Sequence, residues 1–274
     1  MNIAAAIQMA SGPNLGANLT EASRLIASAA SLGAGLVVLP ENFALMPMRE
    51  SDRLEAAETF GDGLLQEFLA ARAREYGLWI VGGTIPVVTD SKEKFSPACL
   101  VFDDKGENVA RYDKMHLFDV KLENGEEYNE SVSQEPGDQT VVIDTPFGKM
   151  GLAVCYDLRF PELFRRMLDE GAEIFAIPSA FTEITGKAHW EVLVRARAIE
   201  NLAYVIAADQ GGYHVNGRET HGDSMIVGPW GLIHDRLARG SGIVTAELDL
   251  KRMVSIRNSL PSIHHRRIRF ERSA

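Results

Sequence analysis

Residues 33–43 of the 274-residue chain read GAGLVVLPENF, in which a glycine closes a helical pattern and a short apolar run leads through a proline to Glu41. The run is too short for a helix, and an unbroken apolar run is typical of a strand covered on both faces. Residues 171–181, GAEIFAIPSAF, repeat the order of glycine, apolar run and proline. Two such halves packed sheet against sheet would form four layers, helix–sheet–sheet–helix. Because any helix–strand unit has this form, the repeat alone does not decide whether two matched halves exist.

The alternation of helices and strands continues along the chain and indicates an α/β architecture. Apolar residues at helical spacing predict helices over residues 18–32, 64–76, 161–170 and 189–201. Short apolar or alternating runs predict strands over residues 3–9, 35–40, 78–85, 98–102, 107–112, 140–145, 150–154, 174–177, 204–209, 224–227, 232–235 and 242–248. Between residues 113 and 139 the periodicity is lost, and so long a loop is usually functional. Since no linker-like stretch interrupts the chain, we expect a single domain over residues 1–274, with a polar C-terminal tail from about residue 250.

The composition excludes several classes of protein. Hydrophobic residues make up 46% and charged residues 24% of the chain, as in an ordinary globular domain, which argues against disorder. Two cysteines, Cys99 and Cys155, are too few for a disulfide framework or a cysteine-rich zinc module. A formal charge of −10 argues against a nucleic-acid partner, whose usual footprint is a basic face. No run approaches the roughly 18 apolar residues of a membrane span, and the N-terminus lacks the basic region of a secretory signal, so we expect a cytoplasmic protein.

Three predicted strands lead into side chains that can perform chemistry: Glu41, Lys114 and Cys155. The carboxyl ends of strands are where α/β sheets place their active sites. A cysteine nucleophile needs a base, because a free thiol is mostly protonated at neutral pH. A carboxylate can take that proton, and an ammonium can stabilise the oxyanion that forms on attack, so the three side chains suffice for acyl transfer. Taken singly, each is more often core or solvated surface, and Cys99, inside the apolar run 98–102, is predicted to be core.

The residues after Cys155 distinguish it from a core cysteine. Residues 156–163, YDLRFPEL, place polar and charged side chains at a strand end, and a helix is predicted to begin at Pro161. The N-terminus of a helix offers free N–H groups and favours negative charge nearby. A thiolate or an oxyanion at this point would therefore be stabilised.

With these residues the chain resembles the nitrilase superfamily, the carbon–nitrogen hydrolases. Its glutamate, lysine and cysteine motifs match LPENF (39–43), YDKMHLFD (112–119) and VCYDLRFPE (154–162). Further matches follow in the order of the family: PSAFT (178–182), GKAHWE (186–191), RARAIEN (195–201) and PWG (229–231). The resemblance runs from about residue 3 to about residue 248. It implies an α-β-β-α sandwich, in agreement with the layers predicted above.

The resemblance also implies a mechanism for a hydrolase of linear amides. Cys155 attacks the amide carbon, and Glu41 takes the thiol proton and passes it to the leaving nitrogen. Lys114 and the backbone N–H of Tyr156 hold the oxyanion, and water activated by Glu41 hydrolyses the thioester. A second family carboxylate corresponds to Glu130, which orients Lys114 or the substrate; other glutamates of the same loop compete for this assignment.

No metal or organic cofactor is implied by the resemblance. Three histidines lie in or beside the motifs without zinc spacing: His116, His189 and His221.

Within the superfamily, the cysteine motif and residues 178–191 most resemble the branch that hydrolyses deaminated glutathione, with ω-amidase, which acts on 2-oxoglutaramate and 2-oxosuccinamate, as the alternative. These substrates carry carboxylates, and Arg159 is the cation we expect to bind one in a bidentate fork. The alternative for Arg159 is a structural ion pair with Asp157 or Glu162. Phe181 and Thr185 correspond to the family's pocket, although Phe181 is equally compatible with the core.

Two other readings of the function stay open at this point. One is another carbon–nitrogen hydrolase, acting on nitriles or N-carbamoyl compounds, and the other is a catalytically silent family member that binds a partner. The intact set of Glu41, Lys114 and Cys155 argues against the silent member. Because family dimers bury helices of the region 188–201, the resemblance also predicts a homodimer or a higher homo-oligomer.

Overall fold

The helices begin and end where the sequence provides caps. Asn14 accepts a hydrogen bond from the Ala17 N–H (2.9 Å) before the first helix, and Gly77 ends the third with a positive φ of 62°. The structure, a computed structural model, describes residues 2–91, 93–122 and 125–268. Its helices are α1 (Leu15–Ser31), α2 (Ser51–Glu55), α3 (Leu64–Tyr76), α4 (Pro161–Asp169), α5 (Glu183–Asn201) and α6 (Leu250–Ser259).

The strands form one seven-stranded sheet, one six-stranded sheet and two short hairpins. In chain order they are β1 (Ile3–Gln8), β2 (Ala34–Val38), β3 (Trp79–Val81), β4 (Ile85–Val88), β5 (Phe95–Phe102), β6 (Asn108–Asp113), β7 (Asp119–Lys121), β8 (Glu127–Asn129), β9 (Val142–Thr145), β10 (Gly148–Leu152), β11 (Ile174–Ser179), β12 (Tyr204–Asp209), β13 (Gly211–Tyr213), β14 (Glu219–His221), β15 (Ser224–Val227), β16 (Ile233–Leu237) and β17 (Gly242–Glu247). The first sheet has the order β17-β1-β2-β3-β5-β4, with β6 also paired to β5, and the second has the order β16-β15-β12-β11-β10-β9.

Alternating side chains of β2 show how the layers are built. Leu36 and Val38 pack into the core between the sheets, whereas Val37 packs with residues of α1 and α3 on the outer face of the first sheet. On the second sheet, α4 and α5 bury Phe164 and Trp190 against the strands. The predicted four-layer sandwich is therefore confirmed. The two repeated segments form β2 and β11, which are interior strands of the two sheets.

The predicted strand over residues 78–85 is interrupted at Gly83. This glycine has a φ of 59°, and a Cβ on it would lie 2.2 Å from the carbonyl oxygen of Pro40, so the chain leaves the sheet here and forms β3 and β4 separately. The segment 113–139 likewise contains more structure than expected, the hairpin β7–β8 and a 3₁₀ turn over Glu130–Val132. The sequence patterns also missed α2 and the hairpin β13–β14.

The prediction of a polar C-terminal tail from about residue 250 is wrong for the first ten residues. They form α6, which Asp249 caps by accepting a hydrogen bond from the Arg252 N–H and which buries Met253 and Ile256. Only two buried apolar side chains among polar ones made this helix hard to recognise. Residues 269–274, the last part of the expected tail, lie outside the described residues.

Candidate active site

Glu41 lies in a loop held from both sheets. The Asn42 N–H donates to Thr84 Oγ1 (2.9 Å), and the buried amide of Gln210 donates to the Glu41 carbonyl (3.0 Å). Asn42 has a φ of 58°, a conformation that costs a non-glycine residue free energy and is often found at functional sites. Glu41 itself is 4% exposed. A carboxylate so deeply buried needs a charged partner.

Lys114 supplies that partner and lies between two carboxylates. It follows β6 directly, is fully buried, and its Nζ lies 2.8 Å from Glu41 Oε1 and 2.8 Å from Glu130 Oε2. Glu130 Oε2 also accepts a hydrogen bond from the Phe118 N–H (2.8 Å). Burial alone would lower the pKa of Lys114, but the carboxylates of Glu130 and Glu41 outweigh it and raise that pKa. The pKa of Glu130 is lowered, because Lys114 overcomes the opposite effect of burial.

Cys155 occupies a strained turn just after β10. Its φ is 48°, and it begins a 3₁₀ turn over Cys155–Arg159 that separates it from α4. Helix α4 begins at Pro161, as predicted, but the turn lies between it and Cys155, so the nearby N–H groups come from the turn itself. The first hydrogen bond of the turn joins the Asp157 N–H to the Val154 carbonyl (3.0 Å), so the turn does not use the N–H of Tyr156.

The surroundings of Cys155 favour the protonated form of its thiol. Burial raises its pKa well above the usual value, and the carboxylate of Glu41 raises it further, while Lys114 acts in the opposite direction. Attack by this cysteine therefore requires a base at the moment of reaction. Glu41 lines the same cavity as Cys155 and carries the charge that is felt by the thiol.

One cavity brings most of the predicted residues together. Seven of the eight predicted site residues line it: Glu41, Glu130, Cys155, Tyr156, Arg159, Phe181 and Thr185. The eighth, Lys114, is joined to the cavity through its ion pairs with Glu41 and Glu130. Two competing glutamates of the loop, Glu126 and Glu127, are exposed, and Glu123 lies outside the described residues. Among the described glutamates of the loop, Glu130 is the one that contacts Lys114.

Arg159 is free to bind an anion from the cavity. Its guanidinium packs over the rings of Tyr156 and Phe181, with its carbon 5.8 Å and 5.2 Å from their centroids, and its Nη1 lies 3.1 Å from His189 Nδ1. Among residues 2–91, 93–122 and 125–268, no Asp or Glu forms a salt bridge with it, so the structural ion pair considered for Arg159 is not present there. A guanidinium that lines the cavity without a carboxylate partner is suited to bind a carboxylate ligand.

Phe181 and Thr185 serve both the cavity and the fold. Phe181 packs edge to face on Trp190, with centroids 4.8 Å apart, and belongs to the central core. The Thr185 hydroxyl lies 2.8 Å from the hydroxyl of Thr182, which caps α5. Both side chains therefore line the cavity while contacts with Trp190 and Thr182 fix their positions.

Sequence reasoning missed Asp157 as an organising residue. This fully buried carboxylate accepts hydrogen bonds from the Val154 N–H (2.8 Å), the Tyr112 hydroxyl (2.7 Å) and the His116 N–H (3.0 Å), and it lies 2.6 Å from His116 Nδ1. It connects the chain beside Lys114 with the turn that carries Cys155. A charged residue three positions after the predicted strand 150–154 was the available signal.

Arg218 was also missed, because no pattern predicted the hairpin β13–β14 that carries it. It lines the same cavity as Cys155.

Comparison with known proteins identifies the family. Residues 3–258 match the family model described as carbon–nitrogen hydrolase. The chain belongs to this family. It is 42% identical over 268 residues to the deaminated glutathione amidase of Synechocystis, a match that covers 96% of this chain and 97% of the relative. The resemblance to the nitrilase superfamily is therefore confirmed.

Solved structures agree with this assignment. The yeast protein Nit3 from Saccharomyces cerevisiae, described as a member of branch 10 of the nitrilase superfamily, superimposes with a TM-score of 0.87 at 31% identity and 97% coverage of both chains. The NitFhit protein of C. elegans gives a TM-score of 0.91 at 34% identity, covering 97% of this chain and 65% of that longer one. This carbon–nitrogen hydrolase is thus an enzyme that acts on C–N bonds.

Neither a metal cluster nor a membrane helix accompanies the site in the described part of the chain. There, no group of three or more His, Cys, Asp or Glu side chains is arranged to hold a metal ion. No helix of those residues is long and apolar enough to cross a membrane.

Proposed function

We propose that this carbon–nitrogen hydrolase is a cysteine amidase whose substrate is deaminated glutathione. The observation that supports this proposal is one cavity that combines a buried thiol, a carboxylate that contacts a buried lysine, and an arginine without a carboxylate partner among the described residues. Two relatives at 42% identity, of which the match covers 97% and 82%, are named for this activity. In deaminated glutathione a 2-oxo acid is joined through an amide to cysteinylglycine, so hydrolysis yields 2-oxoglutarate and the dipeptide.

Acylation begins with transfer of the Cys155 proton to Glu41 as the sulfur attacks the amide carbon. A C–S bond forms, and the electron pair of the carbonyl moves onto oxygen. When the tetrahedral intermediate collapses, the C–N bond breaks and Glu41 returns the proton to the departing amine. A thioester remains on Cys155. Water then gives a proton to Glu41 and attacks the thioester carbon, the C–S bond breaks, and Glu41 returns the proton to the Cys155 sulfur as the acid leaves.

The oxyanion is held by Lys114 and the backbone N–H of Tyr156. An ammonium has three donors. Two of them go to Glu41 and Glu130, which leaves one for the oxyanion. Such preorganised donors in a buried site typically lower the barrier by about 3–4 kcal/mol each. Glu130 acts as a positioning residue, because its contact is with Lys114 and it fixes the direction of that third donor.

Arg159 binds the carboxylate of the 2-oxo acid. It belongs to the same five-residue turn as Cys155, so the bound carboxylate and the amide carbon stay at a fixed separation. Stacking on Tyr156 and Phe181 holds the guanidinium plane. In a chain of charge −10, this local cation is what allows an anionic substrate to bind.

The test is release of 2-oxoglutarate from deaminated glutathione and from 2-oxoglutaramate, measured side by side. Both substrates give the same acyl-enzyme and acid, so one assay compares them directly. Higher kcat/KM for deaminated glutathione, lost in Cys155→Ala and retained in the control Cys99→Ala, supports the proposal. A preference for 2-oxoglutaramate would assign the protein as an ω-amidase. Turnover of neither would move the search to nitriles and N-carbamoyl compounds, and inactivity on all of them would leave the silent, partner-binding member.

We also propose that the protein is a single domain that pairs with a second copy of itself. β17, from the C-terminal half, pairs with β1 along its whole length, which ties the two halves together. Val192 and Ile199 are exposed on one face of α5, and Trp230 continues this apolar surface. Exposed apolar patches of this kind mark contact surfaces.

We place the enzyme in the cytoplasm, since Cys155 must remain a free thiol to react.

A further inference from the structure

A second arginine, from a different part of the chain than Arg159, lines the cavity. Arg218 lies in the hairpin β13–β14, whereas Arg159 belongs to the turn that follows β10. Both line the cavity that contains Cys155. Arg218 Nε is buried and has no hydrogen-bond partner in the structure. A buried donor left without a partner costs about 1–3 kcal/mol, which a ligand oxygen would recover.

The surroundings of Arg218 leave its guanidinium available to a ligand. Its carbon lies 5.0 Å from the ring centroid of Tyr128, and Nη1 is 3.9 Å from the sulfur of Met46. No carboxylate among the described residues forms a salt bridge with Arg218. Arg239, which contacts the same hairpin from outside, is by contrast paired with both Glu183 and Glu219.

A row of three aromatic rings lies between the ring contacts of the two arginines. Phe118 packs on Tyr156 and on Tyr128, with centroids 5.0 Å and 5.2 Å away. Arg159 packs on the Tyr156 end of this row and Arg218 on the Tyr128 end. The two cations thus contact opposite ends of this row of rings and not the same ring. They suit a ligand with a carboxylate at each end.

We propose that Arg218 binds the C-terminal carboxylate of the leaving group, so that the enzyme selects amides whose nitrogen carries an acidic peptide end. This inference rests on the proposed function. Deaminated glutathione has one carboxylate on the 2-oxo acid and one on its glycine, and its three units span roughly 10 Å when extended. 2-Oxoglutaramate has only the first carboxylate. Arg218 therefore acts on acylation of the longer substrate and plays no part once the dipeptide has left.

Another arginine near the site does not fit this role. Arg53 is paired with Glu50 and lines a separate cavity behind Glu41 and Glu130, which Cys155 does not reach.

The experiment compares deaminated glutathione with its C-terminal carboxamide on the wild-type enzyme, and then both with 2-oxoglutaramate on Arg218→Met and Arg218→Lys. Because hydrogen bonds to charged groups contribute about 1.5–3 kcal/mol, we expect the carboxamide to have a kcat/KM about 10- to 100-fold lower. In Arg218→Met the ratio of kcat/KM for deaminated glutathione to that for 2-oxoglutaramate should fall by a similar factor, mainly through KM. Arg218→Lys should recover part of the ratio, and the control Arg239→Met should keep it.

Equal rates for the acid and the carboxamide on the wild type would overturn the inference without any variant. An equal loss on all substrates in Arg218→Met would overturn it as well, since that pattern indicates a structural role. If the wild type hydrolyses 2-oxoglutaramate but not deaminated glutathione, or neither, the proposed function fails and this inference fails with it. Turnover of deaminated glutathione with an unchanged ratio in Arg218→Met would refute the role of Arg218 alone.

Discussion

The hydroxyl of Tyr112 donates a 2.7 Å hydrogen bond to the buried carboxylate of Asp157. Tyr112 belongs to β6 of the first sheet, and Asp157 lies in the turn after β10 of the second, so this bond crosses the sandwich. Lys114 and Cys155 each lie two residues from one of the partners. Their relative position therefore depends on this bond more directly than on the core between the sheets.

Tyr112→Phe tests this dependence. We expect the free energy of unfolding to fall by about 1.5–3 kcal/mol, the usual value of a hydrogen bond to a charged group, and kcat to fall about tenfold while KM changes little. The measurements are denaturant unfolding and steady-state kinetics. Tyr204→Phe is the matched control, because the Tyr204 hydroxyl accepts the Asp249 N–H (3.0 Å) away from the site. A kcat loss of the same size in the control would show that the effect is general destabilisation.

Glu41→Gln should change the reactivity of Cys155 and the turnover of amides in opposite directions. The negative charge of Glu41 raises the pKa of the thiol, after the larger effect of burial, whereas Lys114 lowers it. Removing that charge lowers the pKa, so alkylation of Cys155 by iodoacetamide at a given pH should become faster. Amide hydrolysis should fall by about 10²–10⁴-fold, because the general base is gone. The alkylation rate is followed from pH 6 to 10, with Cys155→Ser as the blank. Slower alkylation in Glu41→Gln would mean that Glu41 already activates the resting thiol.

Glu130→Gln should remove stability in a particular range of pH. The folded-state pKa of Glu130 is lowered by Lys114 against the effect of burial, so its ion pair stabilises the fold above the unfolded value of about 4.3. That contribution is lost as the pH falls through the folded pKa. The pKa of Lys114 is raised, so its contribution holds below the unfolded value of about 10.4 and is lost only as pH rises through the folded pKa.

We therefore expect wild type and Glu130→Gln to differ by a constant unfolding free energy of about 1.5–3 kcal/mol between pH 6 and 8, with convergence only in acid. Urea unfolding at several pH values measures the difference. A gap that closes between pH 6 and 8 would contradict the charge assignment.

Gly83→Ala should displace the backbone of the loop that carries Glu41. The added Cβ would lie 2.2 Å from the carbonyl oxygen of Pro40, the residue before Glu41, at a φ of 59°. Gly77→Ala is a matched control, because Gly77 has a φ of 62° with nothing within 4 Å of the added Cβ. Both variants should lose about 1 kcal/mol or more to the left-handed conformation, but only Gly83→Ala should also lower kcat. Equal kinetic effects would show that the contact with Pro40 does not position Glu41.

The sequence could predict many of the helices and strands, but not the long-range contacts that these variants test. Local patterns sufficed for the strand before Glu41, for α3 and for β12, because each has an unbroken period and a clear end signal. Three features of the site depend on contacts between distant segments. They are the approach of Gly83 to Pro40, the hydrogen bond from Tyr112 to Asp157, and the position of Arg218 in the cavity. No period along the chain encodes them. The 3₁₀ turn after Cys155 was missed for a related reason, since the hydrogen-bond partners of Asp157 come from two segments, Val154 beside it and Tyr112 with His116 in the other half of the chain.

Val192→Glu should separate the proposed dimer. Val192 is 68% exposed on α5, and Ile199, two turns along the same face, adjoins the turn that carries Trp230. Arg195 Nε donates to the Gly231 carbonyl (3.1 Å), which joins α5 and this turn into one surface. A buried unpaired carboxylate costs several kcal/mol, so the dimer should dissociate at least about 100 times more readily. Sedimentation equilibrium should show twice the 30.1 kDa chain mass for the wild type and for the control Leu64→Glu, whose side chain is exposed on α3, and the single-chain mass for Val192→Glu. A wild type that sediments as one chain, or a Val192→Glu variant that stays paired, would place the contact elsewhere or remove it.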